Sequence, residues 1–214
     1  MQTNDQHMLS AQSEPSYPFL SGVADIRRRA RRYIHDGALT PSCAADRDIV
    51  LRLLNEALAT ELVCVRRYQR HYQLAGDEVA ETIRNELLQH AHEEQAHADR
   101  IAERIVELGG APNLTPEGVG ERSHPEHVEG EGLAEMLAED LIAERIAIES
   151  YREIIQYLGS KDESTRRLFE SILALEEEHA EDLRSMREEL LRRERVANGA
   201  DSLVAELHRD SDLQ

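Results

Sequence analysis

The chain has 214 residues, 40% of them hydrophobic and 4% aromatic, no Trp, and 43 acidic against 25 basic side chains for a net charge of −18. That size suits one substantial domain with tails, and a composition rich in Ala, Leu, Glu and Arg and poor in Gly and Pro predicts an all-α protein. The acidic excess disfavours nucleic acid and anionic membrane as partners of the bulk surface and favours cations; without an apolar run of about 18 residues, a secretory-type apolar N-terminus or a disulfide framework from Cys43 and Cys64, a cytoplasmic location is expected.

Residues 1 to 22 are polar, Pro-containing and aperiodic, which predicts a mobile arm. The basic segment that follows, ADIRRRARRYIH, predicts a short helix carrying Arg27, Arg28, Arg29, Arg31 and Arg32, so residues 1–45 form an N-terminal extension. Residues 46–195 then hold four long helical segments, at 46–75, 77–108, 131–159 and 161–195. Each is about 45 Å long at the helical rise of about 1.5 Å per residue. Their connections are AGD, the long stretch GGAPNLTPEGVGERSHPEHVEG and GSKD. Short, long and short connections predict two antiparallel hairpins joined by one crossover, a four-helix bundle. Residues 196–214 are a tail with a short helix expected near 201–208.

Each helix carries one apolar stripe at steps of three and four, the face a bundle turns inward. The stripes run Leu51, Leu54, Leu58, Glu61, Val65, Tyr68, Tyr72; Ile83, Leu87, His90, Glu94, His97, Ile101, Ile105, Leu108; Leu133, Leu137, Leu141, Glu144, Ile148, Tyr151, Ile155, Leu158; and Leu168, Ile172, Glu176, His179, Leu183, Met186, Leu190. Apart from tyrosines, every polar interruption is Glu or His, and each cluster lies near mid-helix. An ionised carboxylate moved into a bundle interior costs several kcal/mol or more unless it is paired or metal-bound. No Lys or Arg stands in the stripes, whereas two divalent cations would balance four glutamates.

Spacing supports one shared centre. Glu61 precedes Glu94 by 33 residues and Glu144 precedes Glu176 by 32, and each later glutamate begins a Glu-x-x-His, with His97 and His179. Residues three apart share a helical face, so Glu and His of each pair can reach one bimetallic site. A tyrosine stands seven positions after each lone glutamate, Tyr68 and Tyr151. A third Glu-x-x-His, Glu121 to His124, falls in the crossover away from any seam and is discounted. The competing reading is a purely structural bundle whose buried polar residues fix register; it would need protons or partners for four acids. Glu93, Glu177 and Glu178 lie off the stripes and read as solvated face or outer neighbours of the site. His90 reads as a neighbour rather than a ligand, Tyr68 and Tyr151 as packed, hydrogen-bonded residues, and Cys64 as a small packing residue.

The runs LLNEALATELVCVRRYQRHY, EEQAHADRIAERIVELGGAPNL, EMLAEDLIAERIAIESYREII and ILALEEEHAEDL resemble the bacterioferritin family of ferritin-like proteins over most of residues 46–192. The resemblance implies the ferritin-like fold, two iron ions per subunit with Glu61, His97, Glu144 and His179 as terminal ligands and Glu94 and Glu176 as bridges, and Tyr68 close to the reaction. It also implies a ferroxidase acting on Fe(II) with dioxygen or hydrogen peroxide, in a homo-oligomeric hollow cage that stores iron. Haem is not expected, because Gln95 stands where haem-binding members carry Met. Rubrerythrins add a cysteine-rich iron module that is absent here, and manganese catalases share the ligand pattern in longer chains, which leaves a manganese-type peroxide dismutase as an alternative. A DNA-protecting, Dps-like cage is a further alternative resting on the arginine segment, although packing of that segment on an acidic bundle surface is the plainer expectation.

Overall fold

The structure, a computed structural model, describes residues 23–32, 45–76, 81–126, 128 and 130–211, with backbone only at 23–24 and 198–211. The expected N-terminal arm and Cys43 lie outside the described residues. The chain divides into two compact units between Pro41 and Ser42. The first holds helix α1, Val23–Arg32, where the basic segment predicted one; Arg28 pairs there with Asp25 one turn earlier.

The second unit holds α2 (Arg47–Leu74), α3 (Glu81–Glu107), the short α4 (Val119–Arg122), α5 (Leu133–Leu158) and α6 (Glu163–Ser211). The described residues form no strand, and no described helix is long and apolar enough to cross a membrane. Local chemistry sets the ends. Asp46 caps α2 by accepting from the Asp48 and Ile49 amides at 3.0 and 3.2 Å. Gly109 ends α3 at φ 71°, a left-handed turn that glycine adopts without strain. Arg47 secures that turn by donating to the Leu108 and Gly109 carbonyls, both at 2.7 Å. Asp162 opens α6, accepting from the Thr165 amide at 3.0 Å and its hydroxyl at 2.6 Å, while Arg104 of α3 approaches to 3.2 Å.

Packing pairs α2 with α3 and α5 with α6, and the two hairpins meet through α2 with α5 and α3 with α6. Tyr68 and His71 of α2 meet Glu144 and Asp140 of α5, while Glu61 meets Tyr151, so these helices run antiparallel. In the same way Arg104, Glu94 and His90 of α3 meet Thr165, His179 and Asp182 of α6. The crossover is strapped along α2. Asn55 accepts from the Asn113 amide at 2.7 Å, Thr60 accepts from the His124 amide at 3.0 Å, and the buried Arg67 donates to the carbonyls of Glu126 and Glu139. Chain packing is close at Gly110, where the strap begins: a Cβ there would come within 2.5 Å of the tip of the Leu51 side chain, which would have to shift.

The predicted stripes form the core, with two shifts. Phe169, not Leu168, is fully buried at the start of α6, and its ring meets Tyr151 at 5.3 Å. Position 169 continues the three-four alternation back from Ile172 and Glu176, whereas 168 sits on the flank. Ile154 is likewise deeper than Ile155. The expected break before a separate C-terminal helix is absent: α6 runs unbroken through 49 residues to Ser211, because nothing between 190 and 205 removes a backbone donor and the one glycine there, Gly199, is tolerated in a helix.

Candidate metal centre

Mid-bundle, the four stripes bring Glu61, Glu94, His97, Glu144, Glu176 and His179 together, each with no more than 2% of its surface exposed. Their ligand atoms form two groups, Glu61–Glu94–His97–Glu176 and Glu94–Glu144–Glu176–His179, and within each group all atoms lie within 4.8 Å of one another. Glu94 and Glu176, one from each hairpin's second helix, belong to both. The approximate two-fold repeat in sequence thus becomes an approximate two-fold site. His97 Nδ1 approaches Glu61 at 3.3 Å and Glu176 at 3.0 Å, and His179 Nδ1 approaches Glu94 at 3.2 Å and Glu176 at 3.5 Å.

These side chains fit cations better than they fit one another. Glu61 Oε2, Glu144 Oε2, both Glu176 oxygens and both His97 nitrogens lack an aligned hydrogen-bond partner. Each buried orphan of that kind costs about 1–3 kcal/mol, and more when charged. Carboxylate oxygens and imidazole nitrogens are donors for iron, manganese and zinc alike.

The electrostatics carry the same signature. Burial and then the neighbouring Glu176 raise the Glu94 and Glu144 carboxyls well above their usual range. Burial alone would raise Glu176 too, but the imidazoles of His179 and His97 outweigh it and hold that carboxyl low. Burial opposes a charge on His97, yet the carboxylates of Glu176 and Glu61 push its pKa up to about 10. Protons and imidazolium charge therefore stand in for cations among the four acids.

Two tyrosines orient the lone glutamates. Tyr68 donates to Glu144 and Tyr151 to Glu61, each tyrosine reaching across from the opposite hairpin. Burial keeps both phenols protonated by raising their pKa well above the usual value. Tyr151 was legible from its stripe and from its repeat with Tyr68, but its partner Glu61 was not. Glu93, off the stripe, accepts from or pairs with His179 Nε2 at 2.8 Å, and its adjacency to Glu94 was the one available signal. His90 stacks on His179 with ring centroids 4.1 Å apart, and neither of its nitrogens has a hydrogen-bond partner, so it is not a satisfied core histidine.

Sequence reasoning missed the buried pair of His71 and Asp140, 2.8 Å apart behind Tyr68, and the buried Arg67. Both lie off the stripes, where periodicity gives no sign. Cys64 is buried among core residues that include Tyr68, and burial and then Glu144 push its thiol pKa up. Among the described residues, Glu121 and His124 join no cluster capable of holding a cation.

Residues 51–193 match the Ferritin family, described as a ferritin-like domain. A bacterioferritin of Rhodobacter capsulatus is 34% identical over 133 residues, which cover 62% of this chain and 78% of that protein. Among solved structures, the dodecameric thioferritin described as the bacterioferritin-related protein of Bacteroides fragilis superposes with a TM-score of 0.68 at 30% identity, covering 72% of this chain and 92% of that one. The Rhodobacter capsulatus bacterioferritin, solved with a metal-free dinuclear site and haem iron, gives 0.61 at 32% identity, covering 69% and 88%.

Proposed function

The chain belongs to the ferritin-like family of bacterioferritins and their relatives, and on that footing we propose that it oxidises Fe(II) at its buried carboxylate centre and stores the Fe(III) product inside a homo-oligomeric cage. One observation carries the reading: four glutamates and two histidines are buried at one height as two overlapping groups that share Glu94 and Glu176. Glu61 and His97 would hold one iron ion and Glu144 and His179 the other, with Glu94 and Glu176, which belong to both donor groups, available to both ions. Two Fe(II) supply two electrons, and these with two protons reduce dioxygen to hydrogen peroxide or hydrogen peroxide to two waters.

The chain's own part is positioning and charge. Four carboxylates attract a Fe(III) pair more strongly than a Fe(II) pair, because the Coulomb attraction grows with the charge of the ion, which favours the oxidised side of the reaction. Tyr68 and Tyr151 fix the rotamers of Glu144 and Glu61, and Tyr68 is assigned a place beside the reacting metals. The surrounding core of Leu58, Leu137, Ile172 and Leu183 is apolar and closed, which excludes bulk water and strengthens each electrostatic contact.

Gln95, which stands where haem-binding bacterioferritins carry Met, donates to Asp99 at 2.9 Å, and the reading proposed needs no haem. Manganese in place of iron is the alternative that the ligand set leaves open, and metal analysis of the protein as isolated separates the two. The relatives, one of which is dodecameric, support the cage, and light scattering measures it. A cytoplasmic setting suits the ferrous substrate. The decisive experiment adds Fe(II) anaerobically to the apoprotein, then oxygen, and compares the wild type with Glu94→Ala and Glu176→Ala. Both variants are expected to lose rapid oxidation, and equal rates in all three would remove the proposal.

A further inference from the structure

The seam between α3 and α6 carries further cation donors that adjoin the six central residues through His179. Glu86, His90 and Glu93 follow one another up α3, and His179 and Asp182 face them from α6. Glu86, His90 and Asp182 have ligand atoms mutually within 4.8 Å, and so do His90, Glu93 and His179. The first group shares His90 with the second, and the second shares His179 with the central group of Glu94, Glu144 and Glu176.

Burial grades along this series. The Asp182 side chain is 52% exposed and Glu86 is half-buried, while His90 is only 1% exposed. His90 Nε2 lies 3.8 Å from Asp182 Oδ2, too far for a hydrogen bond and suited to a shared ion, and both His90 nitrogens are without partners. Its seam neighbours Leu87 and Leu183 are fully buried and apolar, so packing at this height is satisfied by leucine. An imidazole buried there with both nitrogens idle sacrifices stability that a leucine would retain.

We propose that Glu86, His90 and Asp182 form a third divalent-cation site, a staging post from which an ion passes by way of His90, Glu93 and His179 to the buried centre. The site takes a borderline ion such as Fe(II), Co(II) or Zn(II): two carboxylates and a neutral imidazole match a double positive charge, and the nitrogen donor disfavours magnesium and calcium. Only the ion's destination rests on the ferroxidase reading; the site itself stands on its own donors.

Anaerobic Co(II) titration of the full-chain oligomer, counted by equilibrium dialysis, tests this. Asp182→Asn and Glu86→Gln, both at positions with solvent access, are expected each to bind one cobalt per chain fewer than the wild type. Crystals of the wild type soaked in Co(II) are expected to show an anomalous peak between Glu86, His90 and Asp182. Glu94→Gln is expected to lose central cobalt and keep the outer ion. Unchanged stoichiometry in both Asp182→Asn and Glu86→Gln, with loss in Glu94→Gln, overturns the outer site alone. Unchanged stoichiometry in Glu94→Gln, with loss in Asp182→Asn, overturns the central reading and leaves the outer site standing.

Discussion

Replacing Glu94 by glutamine removes an ionisable group from the interior while keeping the side chain's shape, and the effect on stability reverses with metal. A ligand that binds only the folded state at about a hundredfold excess over its Kd adds about 2.7 kcal/mol, so the two central sites add about 5.4 kcal/mol. For a domain of this size, about 2–4 °C of Tm accompanies each kcal/mol, so filling the two central sites with Co(II) is expected to raise the wild-type Tm by about 10–20 °C, beyond any shift from the outer ion. Glu94 and Glu176 stand in both ligand groups, whereas Glu61 and Glu144 stand in one each. Glu94→Gln and Glu176→Gln are therefore expected to lose most of the shift that the central sites supply, and Glu61→Gln and Glu144→Gln about half of it. Without metal the sign differs for Glu94. Its carboxyl is raised in the fold by burial and by Glu176, so its stabilising contribution is complete below the unfolded pKa of about 4.3 and is lost as pH rises through the folded value. The apo wild type is thus expected to melt lower at pH 8 than at pH 5.5, and Glu94→Gln to flatten that dependence. Differential scanning calorimetry with chelator and with Co(II) reads both effects. Equal losses from all four variants, or a wild type indifferent to Co(II), would refute the shared-ligand geometry.

Tyr151→Phe removes the donor on Glu61 and is expected to cost about 1.5–3 kcal/mol in urea denaturation, the range for a bond to a charged group; a loss below about 0.5 kcal/mol, on the order of a surface change, contradicts the assigned contact. Asp162→Ala removes the cap of α6 and is expected to cost about 1–2 kcal/mol at pH 7. Burial would raise the Asp162 carboxyl, but Thr165 and Arg104 draw it below the usual range, so its contribution is present above about pH 3.9 and fades as pH falls through the lower folded value. The gap between wild type and variant is expected to close on acidification toward pH 3, and a constant gap would argue against an ionised cap. Arg67→Met frees the Glu126 and Glu139 carbonyls, and protease V8 is expected to cut the crossover several-fold faster in the variant than in the wild type, with no change in cutting if the strap is held elsewhere.

Much of the bundle is legible because its message is periodic. A heptad stripe names the inward face whatever lies opposite, and a glutamate inside such a stripe announces a buried charge before any partner is known. The stripe is less exact at its ends, where several apolar residues compete for one position, and Phe169 displaced Leu168 there. The C-terminal extension of α6 is a different lesson. Residues 191–211 carry weaker apolar signals, yet their helix formers continue a helix already nucleated by the residues upstream, and propagation costs far less than a new start.

Composition, stripe spacing and the repeated Glu-x-x-His determine an all-helical bundle with four acids and two imidazoles facing its interior, because local propensity and a heptad-like repeat are properties of single segments. Which tyrosine meets which glutamate, the His71 and Asp140 pair, the arginine strap and the continuity from Asp182 through His90 to the centre are decided only when the hairpins dock. Those contacts join residues roughly 60 to 90 positions apart, and their register depends on how two helical surfaces interlock, which neither surface encodes alone.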